Sequence, residues 1–293
     1  MVTIHTFKRL VKETIAFFLL CTNILRKQED DKILSIYFHN PDKKRFERIC
    51  HWLKRKGYTV ISIKQLESII NEKRETRKLA IITFDDGWNK NLELLECIEQ
   101  NQIPVTIFVT TESVEQGNYW WEYAEMKGQE RLTAIQKIQD FKKLPVGEFR
   151  EKVSILKQQY TLNRSAITLD ELKVLGRNKY VTIGSHTVTH PILTQCSEEI
   201  QKVELTESKK QLAQWLNEDI DFISYPNGNY NLDTLNIVKN TGYKLGFTVE
   251  PERIDVKKVN PYLIPRYSID DNGGYFENLS KILGIWQKYH FER

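Results

Sequence analysis

The chain has 293 residues, of which 28% are charged and 40% are hydrophobic, and its formal net charge is +4. This composition is typical of an ordinary globular protein and excludes collagen-like, low-complexity and mostly disordered chains. Lysine and arginine are interleaved with glutamate and aspartate instead of forming one basic stripe, so we expect no nucleic acid among the partners. The four cysteines form no CxxC pair, and this sparse usage indicates free thiols in a reducing compartment.

Residues 1–30 are predicted to form an N-terminal helical extension. A basic start that includes Lys8, Arg9 and Lys12 precedes an uncharged run of 12 residues, 14–25. A membrane-spanning helix needs about 20 apolar residues, and no small-x-small cleavage motif follows this run. We therefore expect an amphipathic helix that packs on the body of the protein. Peripheral membrane contact through residues 14–25 and a cryptic export signal are the alternatives, and a cytoplasmic location, with or without membrane association, is favoured.

From residue 31 onwards, short apolar runs alternate with segments of helical periodicity. Strands are predicted at 33–38, 60–63, 79–84, 105–109, 180–183, 222–225, 245–249 and 263–267. Asn40 and Pro41 are interpreted as an N-cap and the first residue of a helix. A polar segment of helical pattern, 117–166, is interpreted as an insertion. Strands that alternate with helices predict an α/β fold with a largely parallel sheet, and seven or eight such units favour a barrel.

Two adjacent carboxylates, Asp85 and Asp86, directly follow the predicted strand 79–84, and Gly87 comes next. Like charges repel each other in a partly dry site, so such a pair is costly at the end of a buried strand. In α/β barrels the carboxyl ends of the strands carry the active site. An Asp-Asp-Gly sequence is also a common turn, so this motif is not specific by itself.

Two of the six histidines, His186 and His190, follow the predicted strand 180–183. The β-branched residues between them and the proline that follows disfavour a regular helix, so we expect an irregular turn. A compact turn would let both imidazoles bind one metal ion. One carboxylate with two neutral imidazoles is the ligand pattern of a catalytic hydrolytic metal site. The combination of the two motifs is far more specific than either motif alone.

Together, the TFDDG sequence at 83–87 and the HTVTH sequence at 186–190 resemble the polysaccharide deacetylase family, also called the NodB homology domain or carbohydrate esterase family 4. The resemblance covers about residues 33–267 and implies an irregular (β/α)7-type barrel for residues 31–293. It implies removal of N-acetyl groups from amino sugars in chitin-like oligomers, peptidoglycan or exopolysaccharides, with Zn²⁺ or another divalent cation. It also implies that Asp85 is the general base and that Asp86, His186 and His190 are the metal ligands.

The later motifs of this family match less well. The family usually has an arginine ahead of a Pro-Tyr-Gly-like turn, whereas this chain has Ser224 ahead of Tyr225 and Pro226, which we predict to line the substrate groove. No Asp-Trp motif is found at 247–250. Arg266 is the candidate replacement for the arginine, where it would orient Asp85 or contact the leaving acetate, and a surface ion pair is the alternative.

The general acid of the family is usually a late histidine, but no histidine occurs between His190 and His290. His39, at the end of the predicted strand 33–38, is the candidate general acid. A helix-capping role, or a supporting role behind the residues that contact the metal and substrate, is the alternative. At the start of the insertion, Trp120 and Trp121 cannot both face a sugar because adjacent helical residues point apart. Trp120 is the candidate for substrate contact.

The leading hypothesis is a metal-dependent N-deacetylase that acts on N-acetylhexosamine units of a bacterial surface or cell-wall glycan, so the expected partner is an N-acetylated glycan. A C–N hydrolase of the same fold with a non-sugar amide substrate is the first alternative. A carbohydrate-binding protein with a decayed catalytic set is the second, although that alternative predicts the loss of ligands that this chain retains.

Overall fold

A computed structural model describes residues 4–23, 29–126 and 131–289 of the chain. The strands in these ranges are β1 Leu34–Phe38, β2 Thr59–Val60, β3 Leu79–Phe84, β4 Val105–Val109, β5 Val181–Ser185, β6 Phe222–Ser224, β7 Leu245–Phe247 and β8 Tyr267–Ser268. The α-helices are α1 Ile4–Thr22, α2 Lys43–Arg55, α3 Ile63–Glu72, α4 Leu95–Asn101, α5 Thr111–Gln116, α6 Trp120–Met126, α7 Arg131–Lys142, α8 Val146–Gln159, α9 Leu169–Gly176, α10 Glu198–Leu216, α11 Leu232–Asn240 and α12 Tyr275–Ile282.

The strands form one parallel sheet in the order β7-β6-β5-β4-β3-β1-β8, and β2 pairs with β3. The segment that leads into β8 hydrogen-bonds to both outer strands. Ile264 N–H donates to the Gly246 carbonyl at 2.8 Å and Thr248 N–H donates to the Ile264 carbonyl at 2.9 Å. On the other side, Ile269 N–H donates to the Tyr37 carbonyl at 2.9 Å. These bonds close the curled sheet, which confirms the predicted irregular α/β barrel.

Alternation along the strands separates two apolar clusters. Ile36, Ile82 and Ile107 pack with the helices outside the sheet. Ile81 and Phe108 belong to a second cluster that also includes α3. Successive residues of a strand point to opposite faces, and here both faces of the sheet are covered by other parts of the protein. The strands are therefore apolar at most positions on both faces, which explains the apolar runs in the sequence.

The interpretation of Asn40 and Pro41 as the start of a helix was wrong. The helix α2 begins at Lys43, and its N-cap is Asp42, whose carboxylate accepts a hydrogen bond from Arg45 N–H at 2.7 Å. Asn40 N–H instead donates to the carboxylate of Asp271 at 2.7 Å. The residues after β1 are thereby held at the carboxyl end of the barrel and not in a helix.

The segment 117–166 carries α6, α7 and α8, which pack around a separate apolar cluster that includes Trp120 and Phe149. Its two ends meet, because Ser165 N–H and Ala166 N–H both donate to the Gly117 carbonyl at 2.9 Å. The segment is therefore a small helical lobe that leaves the barrel and returns to it at one place.

The N-terminal helix α1 packs against α12 near the end of the chain. None of the helices in the described ranges combines the length and the hydropathy that crossing a membrane requires. Of the uncharged run 14–25, residues 24 and 25 lie outside the described residues.

Candidate metal centre and active site

The carboxyl ends of the strands border a cleft of about 980 Å³ at one end of the barrel. Parallel strands end on the same edge, so residues that follow β1, β3 and β5 come together there. The sequence-predicted site residues that line this cleft are His39, Asp85, Asp86, Trp120, His186 and His190.

Three of these side chains converge. Ligand atoms of Asp86, His186 and His190 all lie within 4.8 Å of one another. The Nε2 atom of His186 is 3.5 Å, and that of His190 is 3.6 Å, from Asp86 Oδ1. The Nδ1 atom of His186 is 2.8 Å from the Ser224 carbonyl oxygen. A carbonyl oxygen only accepts, so Nδ1 carries a hydrogen, and the neutral tautomer with this arrangement offers the lone pair of Nε2 to a cation.

The chemistry of these donors fits a divalent cation. Burial lowers the pKa of His190 well below its usual value, and the neighbouring His186 and Lys142 lower it further, so this imidazole is neutral at neutral pH. The second oxygen of Asp86, Oδ2, accepts a hydrogen bond from the Trp88 indole at 2.9 Å, which fixes the carboxylate. A carboxylate with two neutral imidazoles is the donor set that suits Zn²⁺ in hydrolytic sites.

Left-handed backbone conformations place the three donors. The φ angle is 77° at Asp86, 68° at Thr187 and 55° at His190. Such values are uncommon outside glycine and persist where surrounding contacts enforce them. The residues between the histidines form the irregular turn that the sequence predicted, and the two imidazole centroids are 4.7 Å apart.

A buried glutamate that sequence analysis missed holds this turn. Glu204 of α10 is 1% exposed, and its Oε2 accepts hydrogen bonds from the backbone N–H groups of Val188 and Thr189, both at 2.9 Å. Its Oε1 accepts from the Thr189 hydroxyl at 2.6 Å and from Arg150 of the insertion at 3.2 Å. Nothing in the sequence distinguishes Glu204 from the exposed glutamates of α10, except that it falls on the helix face shared with buried Leu205 and Ser208.

Asp85 is held by a fully buried arginine. The Nη1 and Nη2 atoms of Arg266 donate to the two oxygens of Asp85 at 2.7 Å and 2.8 Å, and Nη2 also donates to the Ser224 hydroxyl at 2.7 Å. Two further bonds fix the guanidinium, to the Thr83 hydroxyl and to the Thr248 carbonyl, both at 2.9 Å. The alternation of β3 directs Thr83 and Asp85 to the same inward face.

Burial by itself would raise the pKa of Asp85, but the charge and hydrogen bonds of Arg266, with a contribution from His186, outweigh it and lower the pKa to about 2. The carboxylate is therefore ionised throughout the neutral range. A fixed, ionised carboxylate beside three side chains that fit a divalent cation is an arrangement that suits metal-assisted hydrolysis.

A family model described as "Polysaccharide deacetylase" matches residues 72–246, more than half of the chain. The chain belongs to the polysaccharide deacetylase family. This is a family of hydrolases that act on amide bonds. The match confirms the resemblance that we inferred from the aspartate motif at 83–87 and the histidine motif at 186–190.

Curated relatives agree with this membership. The chain is similar to YxkH of Bacillus subtilis (strain 168), with 24% identity over 211 residues, and it spans 58% of that protein's length. It is also similar to the poly-beta-1,6-N-acetyl-D-glucosamine N-deacetylase of Staphylococcus aureus (strain MSSA476), with 24% identity that covers 87% of this chain and 78% of the relative.

Two solved structures share the fold. The deacetylase PplD of Streptococcus pyogenes, in complex with acetate, aligns with a TM-score of 0.64 and 21% identity over 86% of this chain and 98% of that chain. IcaB from Ammonifex degensii aligns with a TM-score of 0.62 and 15% identity over 87% of this chain and 96% of that chain.

Among the later family motifs, the structure places Arg266 where its side chain meets Asp85. The small Ser224 at the end of β6 leaves room for the guanidinium, which enters from the segment before β8. Arg266 is 0% exposed, so the alternative of a surface ion pair was wrong.

His39 lies in the same cleft as Asp85, and its charge contributes to the low pKa of Asp85. The carboxylate of Asp271 lies beside the His39–Asn40 backbone, and burial raises its pKa although the charge of His39 opposes this. The structure thus brings the proposed acid and base to one cleft, on strands that are neighbours in the sheet.

The three residues predicted to contact the substrate, Tyr225, Pro226 and Trp120, are all buried. Tyr225 is 0% exposed and its hydroxyl donates to the Tyr262 carbonyl at 2.9 Å, and Pro226 is buried as well, so neither side chain is available to a ligand. Trp120 is only 4% exposed, and its indole donates to the His190 carbonyl at 3.1 Å. The more accessible tryptophan is Trp121, whose ring lies 4.8 Å from the ring of His190.

Proposed function

We propose that the protein is a metal-dependent N-deacetylase that hydrolyses the acetamide group of N-acetylhexosamine units in a glycan. The observation that carries this proposal is the position of Asp85, held ionised by Arg266, next to the triad of Asp86, His186 and His190. Zn²⁺ or a similar divalent cation is the proposed cofactor, held by those three residues. When bound, such a cation supplies Lewis-acid polarisation of the amide carbonyl and makes water more acidic.

Asp85 acts as the general base in this proposal. Its carboxylate accepts the proton of the attacking water, and the bidentate contact with Arg266 fixes the orientation of that carboxylate. The low pKa of this carboxylate keeps it deprotonated before each turnover. A carboxylate with a low pKa is a weak base, so its role in this proposal would depend on a cation, held by Asp86, His186 and His190, that makes the water more acidic.

His39 is the proposed general acid that gives a proton to the leaving amine. It lines the cleft from the end of β1, next to β3 and Asp85 in the sheet. Asp271 supports this role, because its carboxylate accepts the Asn40 N–H at 2.7 Å and holds the backbone that carries His39. Acetate and a free amine are the products.

Aromatic rings on one wall of the cleft support a sugar substrate over a non-sugar amide. Trp121 stacks on Tyr119 at 4.6 Å with an interplanar angle of 9°, and Trp88 packs against Tyr119 at 4.5 Å. This packing fixes the half-buried Trp121 beside His190, where its ring can face a pyranose. On the same side, Lys142 of the insertion donates to Asn227 at 2.8 Å and narrows the cleft.

Acetate release tests the proposal. Protein stripped of metal and then reloaded with Zn²⁺ is incubated with β-1,4- and β-1,6-linked N-acetylglucosamine oligomers, and with N-acetylated amines that contain no sugar. We expect about one bound cation per chain and acetate release from the oligomers alone. Asp86→Ala should lose the cation, whereas Asp85→Asn should retain it and lose turnover. Release of acetate from the simple amides alone, or full turnover by Asp85→Asn, contradicts the proposal.

A further inference from the structure

The N-terminal helix α1 has two distinct faces, and its inner face is docked by specific contacts. Ala16 is fully buried, and the Glu13 carboxylate accepts hydrogen bonds from Phe276 N–H at 2.9 Å and Glu277 N–H at 3.0 Å. Glu13 thus caps the N-terminus of α12. Gly274, the N-cap residue of α12, leaves space for this carboxylate that a Cβ atom would occupy. These contacts fix the rotation of α1 about its own axis.

This fixed rotation leaves an apolar face exposed. Leu10 is 62% exposed, Val11 40%, Phe17 44% and Phe18 62%. These four residues, called the outer face below, recur at i, i+1, i+7 and i+8 and so lie along one side of the helix. Thr14, which is also exposed, lies between Leu10 and Phe18 on this side. An exposed helix face with two phenylalanines and a leucine is a mark of an interaction surface.

The outer face is continuous with a basic helix. The Phe17 ring contacts that of Phe276 at 5.1 Å, Phe276 contacts Tyr275 at 5.5 Å, and the Arg48 guanidinium of α2 lies 4.2 Å over the Tyr275 ring. The helix α2 has six basic residues and one acidic residue, and its basic side chains Arg48, Lys54 and Arg55 are exposed.

The exposed charge on α1 beside the outer face is also positive. Arg9 is exposed beside the outer face, whereas the carboxylate of Glu13, the acidic residue of α1, is taken up by the end of α12. Between α1 and the body lies a mostly apolar cavity of about 410 Å³ that is lined by Phe17 and Phe276. Lys56 is also on its wall, as are Lys78 and Asp30, which pair with each other at 3.8 Å. Apolar surface and positive charge therefore occur together on this side of the molecule.

We propose that this side of the protein binds the surface of an anionic lipid bilayer, with the outer face of α1 in the interface and the basic residues of α2 against the headgroups. An amphipathic helix that combines exposed phenylalanine and leucine with nearby basic residues has the chemistry for such binding. A second copy of the chain is the less favourable occupant, because pairing two outer faces would bring two basic α2 helices together. The proposal does not depend on the deacetylase activity.

Sedimentation with vesicles tests it. The chain is mixed with phosphatidylcholine vesicles and with vesicles of phosphatidylcholine and phosphatidylglycerol at 7:3. We expect binding to the anionic vesicles, weakened by salt, and little binding to neutral ones. Leu10→Ser/Phe18→Ser should weaken binding by about tenfold or more for each residue, since each apolar side chain loses its burial in the interface. Lys54→Glu/Arg55→Glu should weaken it by about fivefold for each charge.

Matched variants on the far helices give the controls. Leu232→Ser changes a leucine that is 78% exposed on α11, and Lys202→Glu/Lys239→Glu reverses two exposed charges on α10 and α11. Both should bind like the wild type, and all variants should keep its far-UV circular dichroism and thermal midpoint. Equal binding of the outer-face variant and the wild type overturns the proposal, as does a lack of vesicle binding. A stable dimer in solution that Leu10→Ser/Phe18→Ser converts to a monomer assigns the outer face to a second copy instead.

Discussion

The guanidinium of Arg266 contacts both carboxylate oxygens of Asp85, at 2.7 Å and 2.8 Å, across 181 positions of the sequence. The arginine side chain is 0% and the aspartate side chain 4% exposed. Water does not stabilise either charge, so each one is compensated by its partner. The pair links the last strand of the barrel to the strand that carries the proposed base.

Removing one member of this pair should be costly for stability. Arg266→Ala leaves the Asp85 charge buried without its counterion, and we expect the free energy of unfolding to fall by about 3 kcal/mol. Asp85→Asn/Arg266→Ala should be more stable than Arg266→Ala alone, because the uncompensated charge is gone. Urea unfolding of the metal-free proteins, analysed as a double-mutant cycle, gives the coupling free energy. A coupling near zero would contradict the assignment of this ion pair.

The same pair predicts how stability depends on pH. The pKa of Asp85 is about 2 in the folded chain, below the value of about 3.9 in unfolded peptides. A lowered pKa adds stability that is fully present above about pH 4 and is lost as the pH falls through about 2. Between pH 5 and pH 2, the free energy of unfolding of the metal-free wild type should therefore fall more steeply than that of Asp85→Asn. Parallel curves would show that Asp85 titrates alike in both states.

Glu204 should control metal affinity although it bonds to the turn between the two histidines and not to the proposed ligands themselves. Glu204→Ala removes the acceptor for Val188 N–H and Thr189 N–H, and the turn between the histidines loses its anchor. We expect Zn²⁺ affinity to fall by about 10- to 100-fold, the usual effect of losing a residue that orients ligands. The measurement is calorimetric titration of the metal-free protein.

The control for Glu204 is Glu207→Ala on the same helix, where the side chain is 45% exposed and pairs with Lys210. That variant should bind Zn²⁺ like the wild type. If Glu204→Ala unfolded the protein, Glu204→Gln, which retains one acceptor oxygen and the side-chain volume, should fold and show a smaller loss of affinity. Unchanged affinity in a folded Glu204→Ala protein would refute the positioning role.

His39 should affect turnover without affecting metal content. His39→Asn removes the proposed proton donor, and we expect kcat to fall by about 10²- to 10⁴-fold on an N-acetylglucosamine oligomer. Asp271→Asn should give a smaller loss, because it alters only the support of the backbone that carries His39. The exposed His51 of α2 offers a matched control, and His51→Asn should retain full kcat. A His39→Asn enzyme with wild-type kcat would exclude His39 as the acid.

The sequence by itself determined where most strands lie along the chain, the α/β class, and the two motifs from which the family is recognised. These features are local, since each depends on apolar runs and on residues that follow a strand directly. The sequence also led to Arg266 and His39, but only by elimination. Ser224 stands where the family usually has an arginine, and the usual late histidine is missing. The alternation of β3 already implied that Asp85 shares an inward face with Thr83.

Tertiary structure decided what local patterns cannot encode. The sequence predicted that Tyr225 and Trp120 contact the substrate, but packing buries both side chains. Of the two adjacent tryptophans, Trp121 is the one whose ring remains accessible. Glu204 reaches the histidine turn only because α10 packs against β5. Burial and hydrogen-bond partners depend on which distant segments meet. Side chains of the same type therefore differ in role for reasons that only the assembled barrel supplies.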